Sequence, residues 1–109
     1  CSGIGVLHRR ADARWRIRQE DIARLANLQM SLLRAAKNLV RAGGELIYSV
    51  CTTTKAETLS VASEFTKTVD GALPVPVEDP IWRRNGEGGL ILPQDHGTDG
   101  MCIFKWKIE

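Results

Sequence analysis

The chain lacks most of what would mark a metal, membrane or disulfide protein. Its 109 residues hold only three cysteines and two histidines. No Cys-x-x-Cys pair and no histidine cluster occurs, so the ligand spacing of a zinc site is missing. A small odd number of thiols does not make a secreted disulfide scaffold, and a reducing cytoplasm is the expected setting. No apolar run approaches the ~20 residues of a membrane span. No basic start followed by an apolar stretch marks a signal peptide. The segments Gly3-Ile4-Gly5 and Gly86-Glu87-Gly88-Gly89 lack the strand-then-helix setting of a nucleotide-binding turn, so no residue is assigned to a cofactor. The first residue is not methionine. That fits a piece of a longer chain better than a lipid-bearing amino-terminal cysteine.

What is present fits one domain with one core. At this length folding buries roughly 65% of the unfolded chain's surface. A content of 43% hydrophobic and 26% charged residues is ordinary for a globular chain. The net charge of +2 is mild, but its distribution is uneven. Arg9, Arg10, Arg14, Arg16, Arg18 and Arg24 crowd one stretch against Asp12, Glu20 and Asp21, with Trp15 among them. Arginine beside an aromatic ring suits phosphates and unstacked bases. The plainer reading is a solvated face with Trp15 packed inside.

Periodicity places the elements. Residues 1–18 read as an irregular, arginine-rich loop. Ile22, Leu25, Ala26, Leu32, Leu33, Ala36, Leu39 and Val40 recur at helical spacing, predicting a helix from Glu20 to Val40 ended by Gly43-Gly44. Gln29 interrupts the stripe and is expected at its edge or in a buried hydrogen bond. Glu45 to Val50 reads as a strand covered on both faces. Thr54-Lys55-Ala56-Glu57 has the form of a capping box, predicting a helix that starts beside Cys51 and runs to Val69. Leu73, Val75 and Val77 alternate with Pro74 and Pro76, as only an edge strand tolerates. Residues 79–100 read as loop, with a short strand possible at 90–92. Met101 to Ile108 is a final strand. The order is α/β, with about three strands and two main helices.

Two cysteines stand where chemistry is done. Cys51 follows the strand Glu45–Val50, and ligands meet open α/β sheets at the carboxyl ends of strands. A nearby helix start favours a thiolate, the reactive form. Cys1 opens the small-residue run Cys1-Ser2-Gly3-Ile4-Gly5, which suits a sharp loop. Cys102, within the last strand, reads as packing.

These stretches resemble the Sun/Fmu family of RNA cytosine-C5 methyltransferases. Cys1-Ser2-Gly3-Ile4-Gly5 is similar to the family's segment after Asp-Ala-Pro. Arg9, Asp12, Trp15, Arg18, Asp21 and Ile22 follow at its spacing, as do Leu25 and Leu28-Gln29. Gly43-Gly44-Glu45-Leu46-Ile47-Tyr48-Ser49 resembles its Gly-Gly-x-Leu-Val-Tyr-Ser strand. Val50-Cys51-Thr52 resembles its nucleophile motif, and Glu57 falls on a family glutamate. Leu92-Pro93 and Gly97-Thr98-Asp99-Gly100 resemble its closing motif. His8, Ala11, Thr58 and Met101-Cys102 depart from the pattern.

The resemblance implies a fold and a chemistry. The fold would be a partial class I methyltransferase sheet, Rossmann-like and mixed, with an antiparallel last strand. Residues 1–109 would be the carboxy-terminal portion of an S-adenosylmethionine-dependent domain whose cofactor-binding half is absent. Cys51 would be the nucleophile that adds to cytosine, and Cys1 would assist product release. The partner would be RNA, ribosomal in the first instance, with Arg9, Arg10, Arg14, Trp15 and Arg18 as its contacts; no metal and no membrane enter. Two rivals stand beside this. One is a transfer RNA methyltransferase of the same family. The other is a non-catalytic RNA-binding module built on the arginine loop.

Overall fold

The computed structural model describes residues 1–109. After two short 3-10 turns, Ile4–Val6 and Ala11–Trp15, the chain forms α1, Gln19–Lys37. Strand β1 is Glu45–Val50, helix α2 is Leu59–Thr68 and strand β2 is Ala72–Val75. A hairpin of β3, Arg83–Asn85, and β4, Gly88–Ile91, leads through the single turn α3, Pro93–His96, to the long last strand β5, Met101–Ile108.

Strand β5 organises the sheet. β1 pairs along one of its edges, from Glu45 opposite Lys107 to Val50 opposite Cys102. β2 and β4 share the other edge, β2 opposite residues 105–108 and β4 opposite residues 101–103. β3 completes the sheet beyond β4. Every pairing is antiparallel, with β1 and β2 running the same way on either side of β5. The α/β class and the antiparallel last strand are as expected. The sheet has five strands where about three were expected. It contains no parallel pair where a mixed sheet was expected, because β5 lies between β1 and β2 and pairs with both.

The core lies on one face of this sheet. Met30 and Leu33 of α1 meet Leu46, Tyr48 and Val50 of β1, Val61, Ala62 and Phe65 of α2, and Phe104, Trp106 and Ile108 of β5. Phe65 stands edge-on to Trp106 with ring centroids 4.9 Å apart, a favourable aromatic geometry. The buried indole N–H donates to Thr66 Oγ1 at 2.8 Å.

Four further expectations change. First, β1 is not covered on both faces: its residues alternate exposed and buried, and Ile47 is 56% exposed. Both helices pack on the same side, so only that side of the strand is apolar by necessity. Second, α1 stops at Lys37, before the glycines; residues 38–44 make a separate turn in which Gly43 N–H donates to Ile108 O at 2.6 Å. Met30 is buried, while Leu32 and Leu39 face solvent. Third, Thr54 and Glu57 form no cap: α2 begins two residues after Glu57, and the Thr54 hydroxyl donates to the Glu57 carboxylate instead of capping a backbone N–H. Fourth, the short strand allowed at 90–92 is present as β4, Gly88–Ile91, but it is one arm of a hairpin with β3, where residues 83–89 were expected as loop. Gly86, with φ 63°, supplies the positive dihedral that a two-residue turn needs.

Phe65 is fully buried against Trp106. Phe65→Ala should therefore lower unfolding free energy by about 3–5 kcal/mol in denaturant titration. A loss under about 1 kcal/mol would mean the site collapses freely around the missing ring.

Candidate active site

Cys51 lies immediately past β1, and the first loop folds back over it. Gly5 N–H donates to Cys51 O at 3.0 Å, and Gly100 N–H donates to Gly5 O at 2.7 Å. A side chain at Gly5 would collide with the Gly100 carbonyl and come within 2.9 Å of Cys51 O. Three segments distant in sequence thus meet backbone to backbone, and only glycine permits it. The result brings Cys1 Sγ to 3.2 Å from Cys51 Sγ. Both thiols are free; Cys1 is exposed and Cys51 half-buried.

Beneath the thiols lies a buried carboxylate. Glu57 is 0% exposed and forms no ion pair. Its Oε1 accepts from Ser2 N–H at 2.7 Å and from Gln29 Nε2 at 3.1 Å. Its Oε2 accepts from Ser2 Oγ at 2.6 Å, Thr54 Oγ1 at 2.7 Å and Thr52 Oγ1 at 3.0 Å. Its backbone carbonyl takes the Tyr48 hydroxyl at 2.7 Å. Burial alone would raise the carboxyl's pKa. The hydrogen bonds from Ser2, Thr54 and Gln29 outweigh that and hold it below the ordinary value. Gln29 gives its amide N–H to this anion, which leaves its buried Oε1 without a partner. An unmet buried acceptor costs about 1–3 kcal/mol, so the contact with Glu57 has to offset a real penalty.

The thiols open onto a cleft of about 390 Å³, lined among others by Val6, Arg10, Ala13, Arg16 and Ile17. That volume falls in the range of about 300–1,000 Å³ typical of small-molecule sites. A second groove of about 270 Å³, between α2 and β5, is lined by Leu59, Ala62, Phe104 and Trp106 and holds no thiol. No three His, Cys, Asp or Glu side chains group to hold a metal ion.

The arginines divide by partner. Arg9 grips Asp99 through Nε at 2.8 Å and Nη2 at 2.5 Å, tying the first loop to the turn before β5. That guanidinium lowers the Asp99 pKa, and Asp99 raises that of Arg9. Arg16 pairs with Asp12 at 2.7 Å. Arg10, Arg14 and Arg18 are exposed and pair with no carboxylate. Arg14 stacks on Trp15, its guanidinium carbon 5.0 Å from the ring centroid, and Trp15 is 80% exposed instead of packed inside. Cys102 is a different kind of thiol: buried, with its pKa raised to about 11 by desolvation, against a weak lowering by Asn85.

Sequence reasoning put both cysteines at the right ends of their segments and missed the groups that join them. Ser2, Thr52 and Glu57 carry no spacing motif that announces a shared carboxylate. The available signal was Gln29, a polar residue inside an apolar stripe, which does make the buried bond.

Comparison with known proteins supplies the family and the fold. Residues 1–107 match the family described as 16S rRNA methyltransferase RsmB/F. The probable ribosomal RNA small subunit methyltransferase B of Synechocystis is 40% identical over 112 residues, covering 98% of this chain and 25% of that protein. The ribosomal RNA small subunit methyltransferase B of Thermus thermophilus is 39% identical over 105 residues, covering 96% and 26%. The chain therefore spans about a quarter of the length of these relatives. The crystal structure of PH0851 superposes with a TM-score of 0.93 at 27% identity, covering 98% of this chain and 24% of that one. The partial Rossmann-like methyltransferase sheet is thus the fold of this chain.

Glu57 sets a pH dependence. A carboxylate whose folded pKa lies below its ordinary value of 4.5 stabilises the fold above that pH. The stabilisation is lost as pH falls through the lower, folded value. The stability advantage of wild type over Glu57→Gln should therefore shrink on acidification below about pH 4.5. An advantage that stays constant from pH 6 down to about 2 in thermal unfolding would contradict it.

Proposed function

The chain belongs to the 16S rRNA methyltransferase RsmB/F family, and from that membership we propose a role as the carboxy-terminal portion of a catalytic domain. The enzyme transfers a methyl group from S-adenosylmethionine to C5 of a cytosine in ribosomal RNA. The observation that carries this reading is the pair of thiols 3.2 Å apart at the mouth of the arginine-lined cleft.

Cytosine C5 is a poor nucleophile. Addition of the Cys51 thiolate to C6 forms a carbon–sulfur bond and moves the ring's double-bond electrons toward C5, which becomes enamine-like and able to take a methyl group. Once C5 is substituted and has lost its proton, the carbon–sulfur bond breaks and Cys51 leaves as thiolate. Cys1 assists that release. The target base must first leave its stack or already lie in a loop.

The residues described here do not suit the methyl donor. No carboxylate lines the cysteine cleft to take a ribose. Neither strand-to-helix connection, residues 51–58 nor Leu92, contains a glycine to admit a nucleoside against the backbone. We place the donor's site outside residues 1–109, and the steps this chain performs are thiol addition and release.

For RNA, the exposed Trp15 with its stacked Arg14 offers a surface for an unstacked base, and the unpaired Arg10 and Arg18 offer cations for phosphates. Arg9 belongs to the same surface and fixes its loop through Asp99. No helix is long and apolar enough to cross a membrane, and the cytoplasm, where ribosomal RNA is handled, is the compartment that fits this reading.

In the protein that carries this chain, Cys51→Ala should abolish methyl transfer to ribosomal RNA. Cys1→Ala should instead accumulate a covalent RNA–protein adduct, visible as a retarded band on denaturing gels. Equal residual activity in both variants, with no adduct in either, would defeat the assignment of roles. Trp15→Ala should weaken RNA binding by about 1–3 kcal/mol at fixed salt. Unchanged affinity in that variant would move the RNA surface elsewhere.

A further inference from the structure

Glu57 is an unusual residue to bury. Its carboxylate is fully enclosed and has no cationic partner, and all of its donors are neutral. Burying a charge is costly, and an apolar side chain would fix a fold with less penalty. What the carboxylate does that an apolar group could not is reach two loops in fixed directions. Ser2, which directly follows Cys1, gives it both a backbone N–H and a hydroxyl. Thr52, which directly follows Cys51, gives it a hydroxyl. The Ser2 and Thr52 hydroxyl oxygens are themselves 3.0 Å apart. Each cysteine is therefore one residue away from a group held by the same carboxylate.

We propose that Glu57 is a positioning residue: its buried carboxylate holds the Cys1 and Cys51 loops in register, so that both sulfurs address one pyrimidine. This rests on the function proposed above for the two thiols. The side chain touches neither the cleft nor any reacting atom, and it acts only through Ser2 and Thr52. Gln at this position can keep one oxygen toward Ser2 N–H and turn its amide toward hydroxyls that rotate to accept. Ala can do neither. The graded order wild type, Gln, Ala follows.

The test uses the whole protein and two readouts. Phenylarsine oxide bridges two close thiols, forming two arsenic–sulfur bonds as its oxygen leaves as water. Wild type should capture one equivalent against a monothiol competitor. Glu57→Ala should lose that capture by about tenfold, as the effective concentration of one thiol near the other falls. Glu57→Gln should lie between them. In methyl transfer, Glu57→Ala should lower kcat by about 100-fold, the effect of a misplacement on the order of 1 Å, with the KM for RNA unchanged. If Glu57→Ala does not fold, Ser2→Ala and Thr52→Val each remove one hydroxyl from the carboxylate, Ser2 keeping its backbone N–H bond, and each should reduce capture, by less than Glu57→Ala would. Arsenical capture that is weak in wild type, or equal in wild type and in folded variants, overturns the proposal. A normal graded capture with no methyl transfer by wild type leaves the positioning role standing and overturns the methyltransferase reading.

Discussion

One buried anion joins the parts of this chain that lie farthest apart in sequence. The Glu57 carboxylate takes hydrogen bonds from the first loop, from the end of β1 and from the middle of α1. Its own backbone carbonyl anchors the Tyr48 hydroxyl. Burial raises the Tyr48 pKa, with the charge on Glu57 adding to the effect, so this phenol stays protonated and donates. Without the carboxylate, three hydroxyls, one amide and one backbone N–H would share a buried pocket with no common acceptor. Buried polar networks rigidify when complete and destabilise when broken. Here the network lies directly under the two thiols, so the same bonds that order the fold order the site.

The parts legible in the sequence were those set by local pattern. β1 and β5 were placed at their observed bounds because apolar runs ended at glycine, cysteine and the chain's end. The position of Cys51 followed from the strand before it. The misreadings share one cause, a residue whose partner is distant. Thr54 and Glu57 have capping-box spacing, but the carboxylate takes Ser2, Gln29 and the Thr54 hydroxyl as donors in place of a helix-end backbone N–H. Leu39 fits a helical stripe but is 89% exposed, because the chain turns at residues 38–44 to enter β1, with Gly43 and Gly44 bonded to Ile108 of β5. The 83–91 hairpin was hidden by two arginines in β3, which face solvent on an outer strand where polar side chains are tolerated. Arg9 looked like one cation among six, and only the fold shows it held by Asp99.

The arginine-rich segment acquires structure through those distant contacts. Arg9 with Asp99, and Gly5 with Cys51 and Gly100, fasten its first half to the ends of β1 and β5. The second half is left facing outward, with Arg10, Arg14, Arg18 and Trp15 exposed. A modest net charge of +2 therefore becomes a localised cationic surface next to the thiols. Such a surface is worth most for steering and holding a polyanion, and least for folding stability.

The three cysteines show how placement decides chemistry. Cys102 sits in β5 with its side chain in the core, 1% exposed, and desolvation keeps its proton on. Cys1 and Cys51 sit outside regular structure, Cys51 one residue past β1 and Cys1 three residues before the first 3-10 turn, where a loop can present sulfur to a cleft. Strand residues alternate by geometry, so a thiol within β5 could face the cleft only by turning a core position to solvent. A thiol just past the end of β1 escapes that rule. It then needs another device to fix its direction, and the only buried charge in its neighbourhood that can do so is bonded to the residue next to it.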